Sequence, residues 1–303
     1  MPAHPATSPA LPPAQPTALP PALDAERFEF EGLSCYAAGE GPPLLLVHSV
    51  NAAASAAEVR PLFEHARARR RVFALDLPGY GLSLRGAREY TPRLMTQALQ
   101  AAAVQIRQHC GPGPIDALAV SLSCEFLARA AVERPADWRR LALVSPTGFN
   151  GTRPRRGPPG STRALPWLQA ALKAPLWSEA LFRGLTRPGV VRYFLQRTWG
   201  GKVIDERMWA YAVATAHQPG ARHAPLAFLS GALFSADIHT VYEALTQPVW
   251  VSHGVRGDFT DYRGLGLVSG RPNWRVSVFD TGALPYFEQP AAFFEQMDAL
   301  LPP

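Results

Sequence analysis

Cysteine is scarce in this chain. Only Cys35, Cys110 and Cys124 occur among 303 residues, at spacings that fit neither a disulfide framework nor a zinc site. A reducing, cytoplasmic location is the simpler expectation, and no metal is implied. No apolar run approaches the roughly 18 uninterrupted residues of a membrane span. A basic start followed by a continuous apolar stretch is also missing, so a secretory signal is not expected. Charged residues make up 18% of the chain with a net charge of +6. The excess sits mostly in one region, which does not point to nucleic-acid binding. No internal repeat is visible. Histidine is missing from the entire stretch after His253, an absence with chemical consequences below.

Proline, by contrast, crowds the start, with eight among the first 22 residues interleaved with Ala and Thr. Such a composition favours solvated polyproline conformations, and residues 1–23 are expected to form a disordered tail. The rest is rich enough in apolar residues, 47% overall, to bury a substantial core. Phe28 to Phe30 and Leu33 to Ala37 read as a hairpin. Leu44 to His48, Val72 to Leu75, Ile115 to Val120, Leu141 to Val144, Val249 to His253 and Val276 to Phe279 are unbroken apolar runs, as in parallel strands covered on both faces. Helix-length segments at Glu58–Arg70, Thr91–His109, Glu125–Glu133 and Glu288–Leu301 separate them. That order predicts an α/β fold, a doubly wound and mostly parallel sheet.

The rhythm breaks across residues 149–246, which divides the core into 24–148 and 247–303. This segment has Pro/Gly joints and helical stretches, and carries twelve Arg/Lys against five Asp/Glu. Its surplus of seven positive charges leaves the remainder of the chain slightly negative. An insertion of this size reads as a helical cap over the strand ends, where ligands of open sheets bind. Trp167, Leu168, Trp177 and Phe182 offer a dense apolar supply, with Arg183, Arg187 and other arginines around them. The combination suits a small hydrophobic or amphiphilic ligand with an anionic head, or contact of the basic face with an acidic membrane surface.

The most informative stretch runs from Ile115 to Arg129. A buried strand passes directly into a helix with small residues, Ala119 and Ser123, two before and two after Ser121. A sharp strand-to-helix turn needs that spacing if its serine is to project. Ser121 is therefore the nucleophile candidate, and a plain N-cap is the bland alternative. Ser123 fails the same test because Glu125 takes its second small position. Cys124 lies in the first helical turn beyond it.

Together with Leu44–Asn51 and the Asp76-Leu77-Pro78-Gly79-Tyr80-Gly81-Leu82-Ser83 turn, this stretch resembles the α/β-hydrolase superfamily, in particular its capped serine-nucleophile members, over roughly residues 28 to 301. The resemblance implies an oxyanion hole from the backbone N–H groups of Leu122 and of Val50, or Ser49. It makes His48 a structural residue and requires no cofactor. It assigns the supporting carboxylate to Asp258, beyond the Val249–His253 strand, with Asp261 as runner-up. Aligning Pro285, Glu288 and Pro290 with the family's terminal loop puts Ala283 where the catalytic histidine ordinarily stands.

An alanine methyl accepts no proton. Loss of the base in triad enzymes lowers turnover by about 10⁶, on the order of 8 kcal/mol of transition-state stabilisation. His217 and His253 are the surrogate candidates, with His223 behind them. Two readings follow: a serine-dependent hydrolase of an ester or thioester in a hydrophobic, acyl-type substrate, or a non-catalytic accessory protein that keeps the pocket. A lyase on the same scaffold lacks a base as well.

Overall fold

The computed structural model describes residues 18–174 and 176–303. Eight strands form one sheet: β1 (Glu26–Phe30), β2 (Leu33–Ala38), β3 (Pro43–Val47), β4 (Arg71–Asp76), β5 (Ile115–Val120), β6 (Trp138–Val144), β7 (Val249–Gly254) and β8 (Trp274–Phe279). Their spatial order is β1-β2-β4-β3-β5-β6-β7-β8. The β1–β2 and β2–β4 pairs are antiparallel and the others parallel. Successive side chains of a strand face opposite sides. Accordingly Leu45 and Val47 join one core while Leu44 and Leu46 join the other. Both faces are covered, which is why alternation is missing from the central strands.

Helices α1 (Arg60–Ala66), α2 (Pro92–Cys110), α3 (Ser123–Glu133), α10 (Pro285–Glu288) and α11 (Pro290–Leu300) flank the sheet. Thr91 caps α2 through its side chain, which accepts from the Leu94 N–H, and Pro92 occupies the first turn, where no N–H is needed. Between β6 and β7 lie α4 (Pro166–Lys173), α5 (Ser178–Leu185), α6 (Pro188–Trp199), α7 (Glu206–Ala216), α8 (His223–Leu229) and α9 (Ile238–Glu243). Three arginines of the core tie this insertion down. Arg60 pairs with Asp205 at 2.9 Å, Arg85 donates to the Thr215 carbonyl at 2.6 Å, and Arg129 pairs with Asp237 at 2.6 Å. Among the described residues, no helix is long and apolar enough to cross a membrane.

One polar group lies deep within the sheet. Asp116 of β5 is fully buried, accepting from Arg139 at 2.9 and 2.6 Å and paired with the buried Arg70. It sits near the strand's first residues, at the far end from Ser121.

Three expectations need correction. The helix expected over Glu58–Arg70 is a 3-10 turn at Ala56–Val59 followed by the short α1. Beyond α1 the chain closes against Gly39, where a side chain would meet the Arg67 and Arg70 carbonyls at 2.3 Å, and Arg70 turns inward to Asp116. Strand β8 is an edge strand whose Val276 and Val278 are exposed, so its apolar run does not signal burial on both faces. The tail reading ran to residue 23, yet Leu19, Ala22 and Leu23 are buried, and the Ala22 N–H donates to the Tyr36 hydroxyl at 3.0 Å. The remainder of the expected tail, residues 1–17, lies outside the described residues.

Residues 18–23 thus close part of the core, whereas a sequence as proline-rich as the first 17 residues is expected to contribute little to stability. Deletion through Leu23 is expected to lower the melting temperature by roughly 5 °C or more. Deletion through Thr17 is expected to leave it unchanged. Thermal melts of the two truncations check this, and equal melting temperatures would refute it.

Candidate active site

At the carboxyl end of β5 the backbone turns through the left-handed region at Ser121, with φ of +56°, before α3 begins at Ser123. A non-glycine residue rarely adopts this conformation, at a cost of about 1–2 kcal/mol. Local hydrogen bonds hold it there. The Ser121 N–H donates to the Val144 carbonyl at 2.8 Å, and its own carbonyl accepts from the Cys124 N–H at 3.1 Å. No side-chain cap bond is made at the start of α3, so Ser121 is not serving as a capping serine. Its side chain is half-buried. Ala119 and Ser123 on either side have no exposed surface, which is the steric reason both are small.

Ser123 also links two loops. Its hydroxyl donates to the His48 carbonyl at 2.5 Å, fastening the segment after β3 to the serine turn. The His48 Nε2 accepts from the Leu77 N–H at 3.0 Å, which leaves Nδ1 as the donor to the Ser49 carbonyl at 2.6 Å. Both ring nitrogens are thus used in structure, and burial pushes the imidazole down to about 4, so it stays neutral.

Glu58 organises the next residue, and nothing in the sequence singled it out. Its buried carboxylate accepts from the Ser49 N–H at 2.5 Å and from the Ser49 hydroxyl at 2.8 Å. Asn51 donates to the same hydroxyl at 3.0 Å. The Ser49 N–H is therefore occupied. Among the described residues, the N–H groups of Val50 and Leu122 have no acceptor. Among the described residues no cation pairs with Glu58, and burial pushes its carboxyl up to about 7. The only sequence signal for it is a single acid in the alanine-rich run after Asn51.

Asp258 and Ala283 are held by successive carbonyls at the end of α6, with the Asp258 carboxylate engaged by Arg197. The Asp258 carboxylate accepts from Arg197 Nε at 2.6 Å, and the Asp258 N–H donates to the Arg197 carbonyl at 3.2 Å, so the acid is engaged by the insertion at a partly exposed position. Asp261 is held by Arg263 at 2.7 Å and by the Gly151 N–H at 2.9 Å. Ala283 is buried, with its N–H on the Thr198 carbonyl at 2.8 Å and its carbonyl accepting from Ser145 at 2.7 Å. Ser145, at the end of β6 with φ of +47°, is thus the side chain that reaches the terminal loop.

The surrogate histidines are placed elsewhere. His217 is exposed at the end of α7, its Nδ1 on the Val213 carbonyl at 2.7 Å. His253 stacks on Tyr262 with ring centres 3.9 Å apart, and burial lowers its pKa. His223 lines a cleft of about 460 Å³ with Lys173, Ser178 and Arg222. A second cleft, of about 510 Å³, lies between α2 and the β1–β2 turn. Ser121 lines neither. Among the described residues, no histidine ring is hydrogen-bonded to Ser121, Asp258 or Ala283.

A family model described as the alpha/beta hydrolase fold matches residues 42–194. No curated protein matches the chain. Among solved structures, a serine hydrolase involved in carbazole degradation is similar at 16% identity, covering 89% of this chain and 94% of its own, with a TM-score of 0.68. The 2-hydroxy-6-oxo-6-phenylhexa-2,4-dienoate hydrolase from Rhodococcus sp. gives 19%, 91%, 97% and 0.68 for the same quantities. A carboxylesterase from Bacillus subtilis gives 16%, 92%, 92% and 0.67. At these identities the likeness is one of fold.

The uncompensated Glu58 carboxyl gives a pH signature. The fold binds its proton more tightly than the unfolded chain does, so the stabilisation is present at low pH and is lost as pH rises from 4.5 through about 7. Glu58→Gln removes the titration while keeping an acceptor for the Ser49 N–H. Its melting temperature relative to wild type is expected to rise across that window and level off above it. A difference that stays constant from pH 4 to 8 would overturn the assignment.

Proposed function

We propose, from the premise that this chain belongs to the α/β-hydrolase fold family, that it is a serine-dependent hydrolase of ester or thioester bonds in hydrophobic, acyl-type substrates, working without the usual triad histidine. The observation that carries the reading is the left-handed backbone at Ser121. A helix start has no need of it, and such strain persists where it presents a side chain for chemistry. The N–H groups of Val50 and Leu122, unclaimed by other acceptors, support an oxyanion hole, usually the largest catalytic contribution in acyl transfer. The names of similar folds, two hydrolases and a carboxylesterase, agree with this class.

The chemistry follows from those groups. Ser121 Oγ attacks the acyl carbon as water takes its proton, the carbonyl oxygen becomes an oxyanion facing the two N–H donors, and collapse expels the alkoxide or thiolate. Water then releases the acyl group as a carboxylate and restores Ser121. With Ala283 in the base position, nothing stronger than water takes the Ser121 proton, and nothing protonates the leaving group. Substrates whose leaving groups depart unprotonated, thioesters and aryl or enol esters, therefore suit this site better than amides do.

A second reading, a binding or accessory protein that retains the fold, is favoured by one specific observation. Asp258 is held by Arg197 of the insertion, which leaves the acid committed elsewhere. The two readings part on whether Ser121 reacts.

Fluorophosphonate labelling and hydrolysis of a p-nitrophenyl ester distinguish them. Wild type is expected to label slowly at Ser121 and Ser121→Ala not at all. Ala283→His is expected to raise both rates at least ~10²-fold, the lower end for general-base catalysis. Adding Arg197→Ala, which frees Asp258 to orient the new imidazole, is expected to raise them further. If neither wild type nor Ala283→His labels, the catalytic reading fails and the accessory reading stands.

A further inference from the structure

The segment carrying α4 and α5 leaves several large apolar side chains exposed. Helix α4 has no buried residue, although Trp167, Leu168 and Leu172 lie on it. Trp167 is 70% exposed and Leu176, in the connection to α5, is 89% exposed. Leu165 and Trp177 stand about half exposed beside them. Soluble surfaces tolerate scattered apolar side chains, but four large ones this exposed between residues 165 and 177, two of them tryptophan, mark a contact surface. The Trp177 indole N–H donates to the Ala171 carbonyl at 2.8 Å, so its ring enters an apolar medium without an unpaired donor.

Charge identifies the medium. From Arg153 to Arg197 the chain carries nine Arg/Lys and a single acid, Glu179. Arg222 already neutralises that acid, with Arg183 nearby at 3.9 Å. Lys173 in α4 and Arg187 just beyond α5 make no ion pair among the described residues. A second copy meeting this segment with its own α4–α5 segment presents the same excess of positive charge and is repelled by it. A nucleic acid offers phosphates but nothing to cover Leu165 and Leu176. An anionic bilayer offers both, headgroups for the cations and an acyl boundary for the tryptophans and leucines.

We propose that the α4–α5 segment docks peripherally on the surface of anionic lipid bilayers, with Trp167, Leu176 and Trp177 inserted at the headgroup boundary and Lys173, Arg183 and Arg187 on the phosphates. Docking uses no atom of the serine turn, so it stands whether or not Ser121 is catalytic.

The test is co-sedimentation of the full-length protein with large vesicles of phosphatidylglycerol or of phosphatidylcholine. Partitioning is expected to be at least ~10-fold stronger onto phosphatidylglycerol and to weaken markedly in about 0.5 M salt, where surface charges are screened. Trp167→Ser/Trp177→Ser and Lys173→Glu/Arg187→Glu are each expected to reduce it at least ~10-fold with an unchanged circular dichroism spectrum. The charge pair keeps the test decisive if the tryptophan pair misfolds. Equal binding to both lipids, no binding, or folded variants that bind like wild type would overturn the proposal. Self-association abolished by both variants, without vesicle binding, would assign the patch to a second copy instead.

Discussion

The left-handed backbone at Ser121 is the constraint around which the site is arranged. It turns the chain from β5 into α3 within two residues, so neighbouring elements must come close and their facing side chains must be small. Ala119 meets that demand without function, whereas Ser123 meets it and adds a hydrogen bond to the segment after β3. Through that bond the serine turn and the Ser49–Val50 loop share one position, and Glu58 fixes the loop from its other side. Strain at one residue is thus offset by a lattice of short-range bonds, of which the Val144 acceptor is the nearest.

Two buried carboxylates show how differently the same fold treats charge. Asp116 sits among Arg70, Arg139 and Arg140, an arrangement with more cations than anions at the amino end of the sheet. Three guanidinium groups face its carboxylate, so removing one arginine still leaves partners. Glu58 has only neutral donors, and its carboxyl is pushed toward protonation. The first anchors strands β5 and β6 to the chain entering β4. The second sits under the Ser49–Asn51 loop, which it holds through the Ser49 N–H and hydroxyl.

Much of the fold was legible because it is written in local periodicity. The apolar runs at Leu44, Ile115 and Val249 read as buried strands and form the middle of the sheet, and the small residues around Ser121 announced a tight turn. What failed was everything decided by distant partners. The run at Val276 looks like its neighbours, but its place at the edge exposes one face, and only topology determines that. Glu58–Arg70 is helical in pattern until Arg70 is drawn to Asp116, 46 residues away. Asp258 lies in the expected loop, yet its orientation depends on Arg197, 61 residues earlier. Leu19 and Leu23 gave no sign of burial because proline-rich surroundings mask an anchor made by two leucines and one hydrogen bond to Tyr36.

The carboxyl end of α6 touches both chain segments that frame the site, accepting the Asp258 N–H on the Arg197 carbonyl and the Ala283 N–H on the Thr198 carbonyl. Helix α6 and the loops after β7 and β8 are therefore mechanically one body. Any outward swing of the helix severs two backbone hydrogen bonds and an ion pair in the same movement. A load on either loop is therefore passed to the helix and through it to the other loop.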